Sequence, residues 1–147
     1  MKKKFLILTE ASKKIGYGHL SRCIFLSEKL KKNGDITFTS KFNIKEYLPK
    51  EFKFFDLSES KNFRVFDCLI IDLRFIDKKY SKIIKKFKIQ KKILIYEKKI
   101  KSLFPSLTII PYQLNLRLKD KKIIYGKNAL ILNPQIARIV KKKRKMI

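Results

Sequence analysis

The chain has 147 residues, of which 45% are hydrophobic, so it can form one folded domain and is too apolar for a disordered segment. It carries 38 lysine and arginine residues against 12 acidic residues, a formal net charge of +26. Such an excess favours polyanionic partners, meaning nucleic acid, an anionic membrane surface or phosphorylated small molecules. No apolar run approaches the length of a membrane span, and the run at residues 5–8 is too short for a signal peptide.

The basic charge also has an explanation in composition alone. Most of the excess is lysine, which is scattered along the chain together with many Ile and Phe residues, as AT-rich genomes favour. Lysine lacks the bidentate fork with which arginine contacts phosphate and guanine, and no nucleic-acid recognition motif accompanies the charge. We therefore do not expect nucleic acid to be the partner. Cys23 and Cys68 lie in apolar patterns without metal-ligand spacing, which indicates buried thiols and a cytoplasmic protein.

The first 40 residues predict a strand, a loop, a helix and a second strand. Residues 5–8 form a short apolar run that is typical of a strand buried on both faces. From Leu20 the apolar spacing changes to three and four residues, which indicates a helix, and Asn33-Gly34 supplies its C-terminal stop. The β-branched and aromatic run at residues 36–39 predicts the second strand. Together these elements form a βαβ unit.

The same alternation continues along the chain. We predict strands at residues 53–56, 67–72, 92–96 and 107–112, and a helix with apolar side chains at Ile76, Tyr80, Ile83, Ile84 and Phe87. Asp77 is placed to cap that helix. Alternating strands and helices indicate a parallel sheet with helices on both faces, so we predict an α/β, Rossmann-like fold. One domain should span residues 1–140, and the basic tail at 141–147 should be disordered.

Two of the four glycines lie beside the only histidine, in the sequence GYGH at residues 16–19. Ligands of open α/β sheets bind beyond the carboxyl ends of strands, where glycine lets the backbone approach an anion and helix N-termini offer N–H donors. His19 falls in the first helical turn, and Arg22 lies on the same face. Imidazole exchanges a proton near neutral pH, which suits a general base. The spacing alone leaves open that His19 only caps or stacks on the helix.

The glycine loop matches neither common phosphate-binding motif. The dinucleotide fingerprint has a third glycine or alanine where this chain has Ser21, and the P-loop pattern is not present. The carboxylates at Asp67, Asp72 and Asp77 have structural explanations at strand ends and a helix start, so we predict no metal site. Arg74 could form an ion pair with Asp72 or contact an anionic ligand, and the sequence does not decide between these roles.

The segment GYGHLSRCIFLSEKL resembles the N-terminal loop and helix of the nucleotide-sugar hydrolases of the pseudaminic-acid pathway and of related spore-coat polysaccharide proteins. The similarity continues in the expected order through FDLSES, FDCLIIDLRFIDKKY, KKILIYEKK and YGKNALIL. It covers nearly the whole chain, but only the first of the two Rossmann-like domains of a glycosyltransferase B fold. The resemblance implies a hydrolase of surface-glycan biosynthesis that removes UDP from an acetamido-sugar by attack of water at the anomeric carbon, without a cofactor.

The resemblance also implies roles for individual residues. His19 matches the histidine that is the proposed base for the attacking water. The substrate-binding positions are Gly16, Tyr17, Gly18, Arg22, Asp72 and Arg74. The last of these departs from the family, which often has a tyrosine there. Glu97 stands where paired aspartates are usual, and Pro111 and Gln113 stand where the family has an asparagine-rich segment.

The family holds most of the nucleotide in a second domain, which the similarity does not include. The resemblance therefore implies that a partner chain or a homodimer supplies that domain to a nucleotide-sugar site. One alternative is a non-catalytic remnant or binding subunit that keeps the glycine loop. A further alternative is a basic nucleic-acid-binding domain.

Overall fold

A computed structural model describes residues 2–57, 66–87, 89–96, 103–111, 121–129 and 131. The elements in chain order are β1 (Lys3–Thr9), α1 (Gly18–Leu30), β2 (Gly34–Ser40), β3 (Lys53–Asp56), β4 (Cys68–Asp72), α2 (Lys78–Lys86), β5 (Lys91–Ile95), β6 (Leu107–Ile110) and β7 (Ile123–Tyr125). Short 3-10 turns occur at Lys45–Tyr47 and Gly126–Ala129. No helix among these residues is both long enough and apolar enough to cross a membrane.

The strands form one parallel sheet in the order β3-β2-β1-β4-β5-β6-β7. From β1 the chain moves outward to β2, whereas from β4 it moves the opposite way to β5. The boundary between β1 and β4 is therefore the topological switch point, where open α/β sheets bind ligands. Thr9 pairs with Asp72 at the carboxyl end of this boundary. The predicted α/β, Rossmann-like fold is confirmed.

Helices cover both faces of the sheet, as the alternation predicted. Neighbouring strand residues point to opposite faces. Ile7 of β1 packs in the core cluster that contains Leu20 of α1, whereas Leu6 packs in the cluster that contains Ile84 of α2. Each fully buried aliphatic side chain of this kind contributes about 1.5–3 kcal/mol to folding. The central strand is thus held from both sides, which fixes its carboxyl end in place.

The strands predicted from the sequence correspond to β1 through β6, with ends shifted by at most two residues. Strand β7 was not predicted, because the three residues IIY are too few to show a period. Both cysteines are buried and free, as predicted. The predicted tail at residues 141–147 lies outside the described residues.

Gly34 has a different role from the one that the sequence suggested. Helix α1 ends at Leu30, and Gly34 is the first residue of β2 rather than a left-handed helix stop. A Cβ atom on Gly34 would lie 1.9 Å from the carbonyl oxygen of Lys3. Glycine is therefore required by the close approach of β1 and β2 at the start of their pairing.

Helix α2 begins with the predicted cap. Oδ1 of Asp77 accepts a hydrogen bond from the backbone N–H of Tyr80 at 2.7 Å. We expect Asp77→Ala to lower the free energy of unfolding by about 1 kcal/mol in urea denaturation, because a helix donor loses its acceptor. Asp77→Asn keeps an acceptor oxygen and should change it by only about 0.3 kcal/mol. Equal losses in the two variants would contradict the capping role.

Candidate functional site

Three of the predicted site residues meet at the switch point. His19 and Arg22 lie near the start of α1, and Asp72 is the last residue of β4. The i, i+3 spacing places His19 and Arg22 on one face of the helix. Because β4 pairs directly with β1, its last carboxylate lies below the helix that follows β1. Sheet order thus joins residues that are far apart in the chain.

A buried ion pair between Arg22 and Asp72 anchors the site. Nε of Arg22 donates to Oδ2 of Asp72 at 2.6 Å, and Nη2 donates to Oδ1 at 2.6 Å. This two-point contact suits the planar guanidinium group. Asp72 is 0% exposed and Arg22 is 7% exposed. Because a buried charge is costly without an opposite charge, each side chain holds the other in position.

The same carboxylate holds the imidazole ring of His19. Nδ1 lies 2.7 Å from Oδ1 of Asp72. An ionised carboxylate only accepts hydrogen bonds, so Nδ1 carries the proton and donates it. Nη2 of Arg22 lies 3.1 Å from the same nitrogen, but two donors form no hydrogen bond, so this is only a close contact. In the neutral ring, Nε2 therefore keeps its lone pair and can accept a proton.

His19, Arg22 and Asp72 together form what we call the centre. A cavity of about 50 Å³ lies beside it. The described residues that line it are His19, Arg22, Leu73, Arg74, Ile95, Tyr96 and Pro111. They come from the start of α1 and from the carboxyl ends of β4, β5 and β6. The side chain of His19 is 23% exposed, so the ring is not packed inward among aliphatic side chains. A larger cavity of about 600 Å³ opens at the amino ends of the central strands, beside Lys3 and Asp67.

Arg74 lines the cavity beside His19 and does not pair with Asp72. Its Cζ lies 5.3 Å from the ring centroid of the exposed Phe75. Ion pairs between described residues do not include Arg74. The sequence left an ion pair with Asp72 and an anion contact open, and Arg22 occupies the ion-pair position.

Glu10 belongs to this edge of the sheet and was not predicted as a site residue. It is 3% exposed, and its Oε1 accepts a hydrogen bond from the backbone N–H of Arg74 at 2.8 Å. Its Oε2 accepts from the hydroxyl of Tyr80 at 3.4 Å. Burial, reinforced by the charge of Glu10, raises the pKa of Tyr80 and keeps its hydroxyl a donor. A carboxylate directly after a buried strand, the signal that marked Asp72, could also have identified Glu10.

The glycine loop is a compact turn between β1 and α1. Gly16 has a φ of +87°, which favours glycine, and its N–H donates to the carbonyl of Ser12 at 2.8 Å. Gly18 begins α1, and a Cβ atom there would meet nothing within 4 Å. The ring of Tyr17 packs edge-on against Tyr47 with centroids 5.1 Å apart. Tyr17 is not among the described residues that line the cavity.

Cys23 lies directly beneath the centre. Its Sγ is 3.7 Å from Oδ2 of Asp72, and the side chain is 0% exposed. Burial raises the pKa of this thiol well above its ordinary value, and the negative charge of Asp72 is the second largest cause. Cys23 therefore stays a neutral, weak donor to the carboxylate rather than a reactive thiolate.

The other acidic residues do not gather around the centre. Asp67 lies next to the amino end of β4, where its Oδ2 accepts from the backbone N–H of Lys4 at 2.7 Å. Asp77 caps α2. No group of three or more His, Cys, Asp or Glu residues that could hold a metal ion occurs within the described ranges. Glu97 and Gln113, two of the departures from the family pattern, lie outside those ranges.

Neither a scan of protein-family models nor a search of curated proteins found a match to this chain. The resemblance to nucleotide-sugar hydrolases therefore stays a prediction from the quoted segments. The hydrogen bonds among His19, Arg22 and Asp72 do not depend on that resemblance, and they identify a candidate site at the carboxyl end of β4.

Proposed function

We propose that the centre of His19, Asp72 and Arg22 is the general-base site of a nucleotide-sugar hydrolase, or of a glycosyltransferase-like protein, in surface-glycan biosynthesis. One observation carries the proposal. The buried Asp72 fixes Nδ1 of a partly exposed imidazole that lines a cavity at the switch point. A carboxylate that orients imidazole and stabilises its protonated form is a recurring arrangement for general-base catalysis.

In the proposed reaction, a water molecule hydrogen-bonded to Nε2 of His19 attacks the anomeric carbon of a UDP-acetamido-sugar. The new bond joins the water oxygen to that carbon, and the bond from the carbon to the UDP oxygen breaks. The water proton passes to Nε2, so the products are the free sugar and UDP. Asp72 stabilises the resulting imidazolium, which later returns its proton to solvent. Arg22 keeps Asp72 in place.

A nucleotide sugar needs more surface than this cavity provides. Pockets for ligands of that size enclose roughly 300–1,000 Å³, whereas the cavity beside His19 measures about 50 Å³. A second domain, supplied by a partner chain or by a second copy, is therefore part of the proposal. It would close over the carboxyl edge of the sheet and hold the uridine.

The small cavity also favours a second candidate function. A binding subunit could keep the glycine loop and the centre without turnover. Arg74, a cation where the resembled family often has a tyrosine, supports this candidate because the reacting end of the substrate would meet a different side chain. The two candidates agree on binding and differ on hydrolysis.

Binding and turnover of a UDP-acetamido-sugar test the proposal. The full chain is titrated calorimetrically with UDP and with UDP-N-acetylglucosamine, and UDP release is followed in the same samples. We expect His19→Ala to weaken binding by about tenfold, because the ligand loses a polar contact with the partly exposed imidazole. The matched control is Lys85→Gln, which alters an exposed side chain in the last turn of α2 and should leave binding unchanged.

The outcomes separate the two candidates. UDP release that falls by about 100-fold or more in His19→Gln supports the hydrolase, because glutamine can donate to Asp72 but cannot act as a base. Binding that depends on His19, without any release even when the second domain is supplied, supports the binding subunit. UDP release that is unchanged in His19→Gln, together with equal binding by the wild type and His19→Ala, would refute both.

A further inference from the structure

The cavity beside His19 has basic and apolar walls. Of the described residues that line it, His19, Arg22 and Arg74 carry nitrogen donors or a basic nitrogen, and none is acidic. The carboxylate of the centre, Asp72, is 0% exposed, and both its oxygens are engaged by Arg22 and His19. An anion that entered the cavity would therefore meet cationic groups, and the carboxylate of Asp72 behind them is already paired.

Arg74 is the cation of this cavity that is placed to receive a ligand. The guanidinium of Arg22 is committed to Asp72 by two charge-assisted hydrogen bonds. Arg74 is exposed, and among described residues its guanidinium contacts the ring of Phe75 rather than a carboxylate. Guanidinium groups bind oxyanions through parallel N–H donors, so Arg74 has a free binding face of the right chemistry.

We infer that this cavity is a subsite for one phosphoryl group, bound by the guanidinium of Arg74 beside the imidazole of His19. A volume of about 50 Å³ has room for about four water molecules, which is comparable to a phosphoryl group and far below a whole nucleotide. The inference depends on the proposed function only for the natural ligand, in which the phosphoryl group would belong to a sugar nucleotide. Anion binding itself requires no hydrolysis.

Glu10 is a positioning residue for this subsite. Its buried carboxylate accepts the backbone N–H of Arg74 at 2.8 Å and so ties the segment after β4 to the segment after β1. The anchored backbone keeps the Arg74 side chain at the cavity, while the exposed guanidinium stays free to adjust to a ligand. Glu10 does not itself line the cavity among the described residues.

Titration with inorganic phosphate tests the subsite. The full chain, labelled with ¹⁵N, is titrated with phosphate and separately with acetate at constant ionic strength, and its backbone and arginine side-chain resonances are followed. We expect saturable shifts at His19 and Arg74 with phosphate. Arg74→Gln should weaken phosphate binding by about tenfold, because a charge-assisted contact is lost. Arg74→Lys keeps the charge but not the fork, so its loss should be smaller.

The matched control is Lys85→Gln, which removes one positive charge at the far end of α2. It should leave phosphate affinity within about twofold, because an exposed charge that does not line the cavity is largely screened by salt. Equal weakening by Arg74→Gln and Lys85→Gln would mean general attraction to a basic surface and would overturn the subsite. Acetate binding as tight as phosphate binding would overturn the phosphoryl assignment. If phosphate binding requires Arg74 but the UDP-sugar does not bind, the subsite is supported and the proposed function is contradicted.

Discussion

Asp72→Asn should lower the free energy of unfolding by about 3 kcal/mol or more in urea denaturation. The substitution removes the negative charge that faces the buried guanidinium of Arg22, and it places an amide where the carboxylate accepts donors from Arg22 and His19. Arg22 is 7% exposed, so water cannot replace the lost partner without rearrangement. The same variant also removes the negative charge that would stabilise a protonated His19, so it should strongly lower any activity that depends on this imidazole.

Two further variants test whether the charge pair itself explains this loss. Asp67→Asn changes the exposed carboxylate next to the other end of β4 and should cost less than about 1 kcal/mol. Replacing both partners, Arg22→Met with Asp72→Leu, should recover much of the stability, because neither charge then remains buried. A cost below about 1 kcal/mol for Asp72→Asn alone would show that the ion pair does not anchor the site.

Gly34→Ala should lower the free energy of unfolding by about 3 kcal/mol. The added methyl group would lie 1.9 Å from the carbonyl oxygen of Lys3 and 2.7 Å from its carbonyl carbon. Both are backbone atoms of the central strand, so no side-chain rotation can relieve the clash. Strands β1 and β2 would have to separate where Lys3 pairs with Gly34.

The matched control is Gly18→Ala, measured in the same thermal and urea experiments. A methyl group at Gly18 meets no atom within 4 Å, and alanine is a better helix former than glycine. We expect Gly18→Ala to leave stability unchanged or to raise it by about 0.5 kcal/mol. Similar behaviour of the two variants would show that Gly34 is not required by the approach of the strands.

Much of the fold was predictable because parallel strands and amphipathic helices leave clear periods in a sequence. The apolar run at 68–71, flanked by two aspartates, is typical of a strand buried on both faces, and Tyr80 and Ile84 repeat at helical spacing. Local backbone geometry is harder to read. Gly34 looked like a helix stop, and only the distance between two strands shows why glycine stands there.

The residues of the candidate site were predictable singly, but their contacts were not. Sequence patterns identified His19, Arg22 and Asp72 as candidates, but no sequence pattern indicates that β4 lies next to β1. Sheet order decides which carboxylate a helix start meets, and burial decides which arginine pairs with it. Arg22 therefore occupies the position that Arg74 could have taken from sequence alone. Glu10 was overlooked because its partners are a backbone N–H and a tyrosine hydroxyl rather than charged groups.

His19 and Asp72 lie 53 positions apart in the sequence, which has a consequence for how the site forms during folding. Contacts so distant in sequence form only after the entropy of closing the intervening loop has been overcome. An early intermediate that contains only β1, α1 and β2 would present the histidine without the carboxylate that orients it. The ability to bind or react at this edge should thus appear only when β4 joins the sheet, so gain of function during refolding would report completion of the central strands.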